Sequence, residues 1–334
     1  MRDRFGHHVS YLRVSVTDRC NERCRYCMPH ELQEWLPRAG VLGFPEMLRL
    51  VRVAATLGVD KIRVTGGEPL TRAGIIEFLR ELSRVDGIKQ VGLSTNGTLL
   101  DRRGRSGRTV AQELRAAGVS SLNISLDTLD RAAYHEITGR DFLPRVLEGI
   151  DAALEAGFAS IRLNAVLMRG RNNDDGLAEL VEFAASKNLL LRFIELMPVS
   201  AAEMLDDSNF FPIAEARRAI EKSFGPLIPQ PDFRTNGPAT YFQIAGRDQR
   251  IGFIGALTNL HFCESCNKLR LTCDGKLRPC LGSHLEFDIL RPLRGGASDE
   301  ELRVFFLHVV DRKPERHEFR DNYQPQRRMV AIGG

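Results

Sequence analysis

The sequence predicts an α/β fold in which six parallel strands alternate with helices and curl into a partial barrel, followed by a smaller C-terminal extension. Two observations carry this. First, "LGVDKIRVT" (57–65), "AGVSSLNIS" (117–125) and "AGFASIRLN" (156–164) share one plan: a glycine ends a helical pattern, and an alternating strand begins four residues later. Second, each of these strands has one polar face. Ile62/Val64, Leu122/Ile124 and Ile161/Leu163 fall on one side, and Arg63/Thr65, Asn123/Ser125 and Arg162/Asn164 on the other, because strand side chains alternate. An open sheet covered by helices on both faces would be apolar throughout. A polar inner wall suits a partial barrel whose interior lines a ligand cavity, with the chemistry at the carboxyl ends of the strands.

The remaining strands are expected at 11–16 (YLRVSV), 90–95 (QVGLST) and 189–195 (LLLRFIE). Helical patterns lie near 45–57, 74–84, 110–117, 143–156 and 175–187. From about residue 225, "FGPLIPQPDFRTNGPATYF" is rich in Pro and Gly and has no helical period, which divides the chain into 1–225 and 226–334. The segment 101–109 (DRRGRSGRT) reads as a solvated loop, or else as one that grips phosphate.

Composition narrows the class. Apolar residues make up 43% and charged residues 27%, ordinary for a globular protein. A net charge of +4 is too small for a nucleic-acid binder but allows a local basic pocket. The N-terminus MRDRFGHHVS has no apolar signal region, and no apolar run approaches the ~18 residues of a membrane span. A cytoplasmic location without membrane contact is expected.

The seven cysteines form two groups, at 20, 24, 27 and at 263, 266, 273, 280. Clustering of this kind points to metal ligation rather than a disulfide framework. Cys20, Cys24 and Cys27 follow the first strand with spacing C-x3-C-x2-C. A structural zinc needs four ligands, and His30 could be the fourth. Alternatively, three thiolates on a [4Fe–4S] cluster leave one iron open. "TGGEP" (65–69) closes the second strand at the same barrel end, its glycines permitting close backbone approach. In the second group, Cys263, Cys266 and Cys280 could close a zinc tetrahedron with Cys273, His261 or His284. Lys268 and Arg270 project to one side, though, and Arg13, Arg63 and Arg162 face the barrel interior, with few carboxylates at matching positions. Inward cations of this kind fit an anionic substrate, most simply a polyphosphate.

C-x3-C-x2-C after the first strand, with Gly-Gly-Glu-Pro after the second, resembles the radical S-adenosylmethionine (SAM) enzymes. C-x2-C-x13-C, "RLTCDGKLRPCL" and a terminal "RRMVAIGG" resemble, within them, the GTP 3′,8-cyclases of molybdenum cofactor biosynthesis, over nearly the whole chain. The resemblance implies a partial (β/α)6 TIM-like barrel of the radical SAM type, with the extension carrying a second cluster. It implies two [4Fe–4S] clusters, one on Cys20, Cys24 and Cys27 and one on Cys263, Cys266 and Cys280. SAM contacts would come from Tyr26, Gly66, Gly67, Glu68, Ser125 and Met197. GTP contacts would come from Arg13, Arg63, Ser94, Arg162, Arg192, Lys268, Leu269 and Arg270. Arg13, Lys268, Arg270 and the tail glycines Gly333 and Gly334 would serve catalysis. GTP as substrate, an electron donor, a downstream cyclic pyranopterin monophosphate synthase and a monomer or homodimer are expected. Lys268 stands where the family often has Arg, turning a bidentate fork into a point charge, and Ser94 where many members have Thr. Cys273 has no role in the family pattern and reads as a small buried thiol. A radical SAM enzyme that modifies peptides, or a zinc-stabilised binding module, is the alternative.

Overall fold

Alternating apolar and polar residues become strands at all six expected places: β1 (Tyr11–Ser15), β2 (Lys61–Thr65), β3 (Gln90–Thr95), β4 (Ser121–Ser125), β5 (Ser160–Leu167) and β6 (Leu190–Glu195). The computed structural model describes residues 1–28, 34–104, 106–172, 175–199, 208–235, 237–321 and 323–333. The six strands pair in parallel in chain order. Helices α1 (Phe44–Thr56), α2 (Ile75–Leu82) and α3 (Val110–Ala116) connect the first four strands. Both α4 (Arg131–Thr138) and α5 (Leu143–Glu155) separate β4 from β5, and α6 (Asp175–Ser186) precedes β6. The apolar strand faces supply the core: Leu12, Val14, Ile62, Val64, Leu122, Ile124 and Leu163 are fully buried in one cluster with Leu50, Val51, Leu79 and Ile150 from the helices.

Within residues 1–225, two α-helices go beyond the sequence expectation. The first, α4, is only eight residues long, and its signal is one cap: the Asp130 carboxylate accepts from the Ala133 N–H at 2.6 Å. The second, α7 (Ile213–Phe224), starts behind Pro212 and buries only Ala216 and Ile220, so its apolar stripe is narrow.

The barrel does not close. Past residue 225 the chain adds β7 (Leu227–Pro229), β8 (Thr240–Ile244), β9 (Arg250–Ile254), β10 (Lys268–Leu271), β11 (Lys276–Arg278) and β12 (Phe287–Asp288). The described strands form one sheet in the order β12-β11-β10-β1-β2-β3-β4-β5-β6-β9-β8-β7. Strand β10 lies parallel on the free edge of β1 and β9 parallel on that of β6, so the extension continues the inner wall at both ends. Edges that would otherwise expose unpaired N–H and C=O groups are thereby covered. After β12 come α8 (Leu290–Arg294), α9 (Asp299–Asp311), which packs on α1, and α10 (Met329–Ile332). Among the described residues no helix is long and apolar enough to cross a membrane.

The Gly-Gly pair after β2 is explained by backbone packing. Gly67 N–H donates to Thr17 C=O at 2.7 Å, and Glu68 N–H to Arg19 C=O at 2.8 Å. A Cβ on Gly66 would stand 2.7 Å from the Thr17 oxygen, and one on Gly67 2.2 Å from the Arg19 oxygen. The glycines admit the loop that carries Cys20, so the close approach is to another stretch of chain. Gly67→Ala should therefore destabilise the metal-free chain by roughly 1–3 kcal/mol, the usual cost of forced overpacking. Urea unfolding checks this, and an unchanged midpoint would show that the contact is soft.

Candidate active site

Strand register arranges the inward residues in rows about 4.8 Å apart from strand to strand. Lys268, Tyr11 and Lys61 form one row, and Arg270, Arg13 and Arg63 the next. Farther round the wall, Asn123 pairs with Arg162, and Ser125, Asn164 and Arg192 continue in register to Gly252 on β9. These side chains line a cavity of about 290 Å³. The inward orientation expected for Arg13, Arg63 and Arg162 is what the fold produces, and Arg192, Lys268 and Arg270 join them.

The expectation that the inward cations lack partners is corrected for Arg63, Arg192 and Arg270, the last of which donates to the Gly333 carbonyl at 2.8 Å. Arg63 is 2% exposed, and it donates to Tyr11 Oη at 3.2 Å, Leu93 C=O at 2.9 Å and Ser121 Oγ at 3.2 Å. Gly92 makes the space, since a Cβ there would stand 2.5 Å from the Arg63 Cζ. Arg192 donates twice to Asn164 Oδ1, at 2.9 and 2.7 Å. These partners are neutral. Among the described residues, Arg63, Arg162, Arg192, Lys268 and Arg270 pair with no carboxylate. Buried Nε of Arg162 and Oδ1 of Asn123 have no hydrogen-bond partner among the described residues. A buried wall of positive charge satisfied only by neutral acceptors is suited to an incoming anion.

Cys20, Cys24 and Cys27 sit just beyond β1 in acidic surroundings. The Glu22 carboxylate accepts from Tyr134 Oη and lies 3.8 Å from Cys24 Sγ. Burial raises all three thiols, that of Cys27 to about 12, with Glu22 adding to the effect. Glu68 is buried and accepts from Leu70 N–H at 3.0 Å, Thr95 Oγ1 at 2.9 Å and Asn96 N–H at 2.8 Å. Its carboxylate ties β2 to the end of β3, and burial raises it to about 7 despite these donors. Tyr26 Oη donates to Asp127 Oδ2 at 2.9 Å, turning the ring into the cavity wall, while Asp127 Oδ1 accepts Val166 N–H at 2.8 Å.

Cys263, Cys266 and Cys280 line the cavity directly, whereas the first motif reaches its wall through Tyr26, and the second triplet stands in basic surroundings. Burial would raise the Cys266 thiol, but Lys313 and Lys268 hold it at about 7. The zinc alternatives find their fourth ligands engaged elsewhere. His261 faces solvent against Glu264, His284 stacks on Tyr323 at 4.6 Å, and Cys273 is buried outside the cavity lining. His30 lies outside the described residues. All six motif thiols are free, and among the described residues no three His, Cys, Asp or Glu side chains are grouped around a single ion position. Soft thiol triplets beside one cavity, the second facing cations that lack carboxylates, are a donor set that fits iron–sulfur clusters.

The residues expected at the site separate into three sets. Tyr26, Ser94, Ser125 and Met197 line the cavity with the cations. Gly66, Gly67 and Glu68 sit behind it. Leu269 turns the other way: it is 1% exposed within the apolar core, so the alternation that brings Lys268 and Arg270 inward excludes its side chain. Gly333 packs between Ser15 and Thr65, and its carbonyl accepts from Arg270 Nη1 at 2.8 Å. Gly334 lies outside the described residues. Missed from the sequence were Tyr11, Lys61, Asp127, Tyr241 and His317. For Lys61 a signal existed, since it stands two residues before Arg63 on one face. Tyr241, which packs on Gly252 beside Arg192, comes from a C-terminal strand the sequence reading did not place.

Residues 14–184 match the Radical SAM superfamily and residues 189–319 Molybdenum Cofactor Synthesis C. The fold resembles native anSMEcpe with bound AdoMet (TM-score 0.63, 16% identity, 92% of this chain and 82% of that one). It also resembles Streptococcus suis SuiB bound to S-adenosylmethionine (0.60, 18%, 90% and 69%). The family match places the chain in the Radical SAM superfamily, and the two solved structures show the same fold. Relatives named GTP 3′,8-cyclase are 42% identical over 334 residues in Pelotomaculum thermopropionicum and in Moorella thermoacetica, each covering 100% of both chains. A third, in Thermodesulfovibrio yellowstonii, is 41% identical over 335 residues, again at 100% of both. The chain belongs to the GTP 3′,8-cyclase family.

The cavity's charge depends on pH. Burial pulls the Lys61 ammonium down to about 8; Tyr11 opposes this, and the charges of Arg63, Arg162 and Lys268 reinforce it. Burial would raise the Tyr11 phenol, but Arg63 and Arg13 bring it to about 7. Raising the pH therefore removes a positive charge at Lys61 and adds a negative one at Tyr11. GTP binding to the reconstituted protein should weaken from pH 7 to pH 9, and Lys61→Met should flatten the alkaline part of the profile. Equal affinity at both pH values in equilibrium dialysis would remove these groups from anion binding.

Proposed function

We propose that the chain converts GTP to 3′,8-cyclo-7,8-dihydro-GTP, the first step of molybdenum cofactor biosynthesis, with SAM and two [4Fe–4S] clusters. The family membership supports the reaction. The observation that carries the substrate is the cavity wall in which Arg63, Arg162, Arg192, Lys268 and Arg270 have no carboxylate partner among the described residues, beside Cys263, Cys266 and Cys280. When bound, the clusters and SAM supply one-electron radical chemistry at the ribose 3′ carbon.

The chain's own residues bind, orient and exclude water. Cys20, Cys24 and Cys27 hold one cluster, and Cys263, Cys266 and Cys280 the other. Ser125, Met197 and Tyr26, the last held by Asp127, shape the SAM side of the cavity. Gly66, Gly67 and Glu68 fix the loop and strand ends against which SAM is held. Lys61, Arg162 and Arg192 receive the triphosphate, and Arg63 is the rigid cation behind it. Ser94, Lys268 and the backbone at Leu269 take up the rest of the nucleotide. Arg13 and Arg270, with Gly333 and Gly334 at the chain end, close the site around the reacting atoms. Orientation of this kind is worth up to ~7–11 kcal/mol of barrier. The product passes to a cyclic pyranopterin monophosphate synthase in the cytoplasm, and an electron donor keeps the clusters reduced.

Anaerobic protein with SAM, dithionite and GTP deuterated at the ribose 3′ position should release deuterated 5′-deoxyadenosine; unlabelled deoxyadenosine would place the abstraction elsewhere. Wild-type protein should hold about eight irons per chain. Cys280→Ala should keep about four and lose GTP turnover while reductive SAM cleavage persists. Retained cyclisation in that variant would remove the second cluster from the reaction.

A further inference from the structure

Lys313 lies two residues past the end of α9, outside every motif the function uses. Its side chain runs inward and is 3% exposed. The ammonium donates to Pro279 C=O at 2.7 Å, to Lys268 C=O at 3.3 Å and to Cys266 Sγ at 3.4 Å. The first acceptor precedes Cys280 and the second opens β10, so one ammonium joins two cysteines of the triplet to the strand beside β1. It forms no ion pair with a carboxylate among the described residues. It also does not line the cavity, so a ligand there would not be its partner.

A buried ammonium with only neutral acceptors is costly, because the charge is desolvated without compensation. Of its three acceptors, only the Cys266 sulfur can carry charge. We propose that Lys313 is a positioning residue for the second cluster: hydrogen-bonded to the Cys266 thiolate, it supplies the buried counter-charge that raises that cluster's reduction potential. The proposal rests on the reading that Cys263, Cys266 and Cys280 hold a cluster. A positive charge and an N–H donor at a ligand sulfur favour the more negative, reduced state.

The test uses anaerobically reconstituted full-length wild type, Lys313→Met and Lys313→Arg, read by iron and sulfide counts and by EPR-monitored redox titration. Lys313→Met should keep both clusters and lower the midpoint potential of the second, with the first cluster, across the cavity, as unshifted internal reference. Lys313→Arg should hold the potential near that of wild type. Loss of the second cluster from Lys313→Met alone, with retention in Lys313→Arg, also supports the counter-charge. Unchanged potentials in Lys313→Met at full iron content overturn it, as does loss of the second cluster from both variants, which would make the side chain's shape the requirement. About four irons in the wild type would instead refute the two-cluster reading itself.

Discussion

The structure depends on one electrostatic constraint: Arg270, Arg13 and Arg63 lie side by side on adjacent strands with their side chains directed into one cavity. Neighbouring guanidiniums on a sheet repel, and the burial that depresses Arg270 and Arg13 adds a desolvation cost. The next arginine outward on the same row shows the ordinary solution. Arg278 on β11 is as buried, but it pairs with Glu286 at 2.8 Å and Ser283 C=O at 2.6 Å. Inside the cavity that solution is withheld from Arg63 and Arg270 among the described residues. Arg63 is fixed by carbonyls and hydroxyls, which orient a cation without neutralising it. The wall is stable enough to fold and remains positive, and that combination prepares a site for a highly charged anion.

The cavity's two ends differ in the same currency of charge. Around the first triplet stand Glu22, Glu68 and Asp127, buried carboxylates raised to about 7, 7 and 6 mainly by burial. Around the second stand Lys268, Arg270 and Lys313. That asymmetry follows from which residues flank each triplet, since the thiols themselves are the same.

Much of this was legible from the chain. The period of two assigns the inner and outer faces of β2, β4 and β5, which with β1 makes Arg13, Arg63 and Arg162 inward cations. The cysteine spacings marked both triplets. Other features were not legible because they depend on distant partners. Strands β7 to β12 are two to five residues long between Gly- and Pro-rich loops, and they exist because β1 and β6 offer free edges. The Gly-Gly pair reads as a ligand approach in the local sequence, and its packing against residues 17–19 is a second constraint visible only in the fold. Leu269 enters the site through the resemblance, and strict alternation leaves only its backbone for that role, since its side chain lies in the core.

The chain end follows from the same geometry. Gly333 adopts φ 81°, where a side chain would be strained, and a Cβ there would stand 2.7 Å from Thr65 Cγ2 and 3.0 Å from Ser15 Cβ. Only a glycine can pass between the ends of β1 and β2 at that depth. Ser15 and Thr65 face inward one row beyond Arg13 and Arg63, so the tail enters on the arginine row, and the Arg270 guanidinium meets its carbonyl. Arg270 is itself delivered by β10, and α10 turns the chain back just before Gly333. The C-terminal extension thus supplies the strand that completes the cation wall, the thiol triplet beside it and the segment that reaches in over both. The extension therefore belongs to the site as much as the six strands do: β10 lies on β1, the strand that the first cysteine loop leaves, and Gly333 packs against Ser15 at its end.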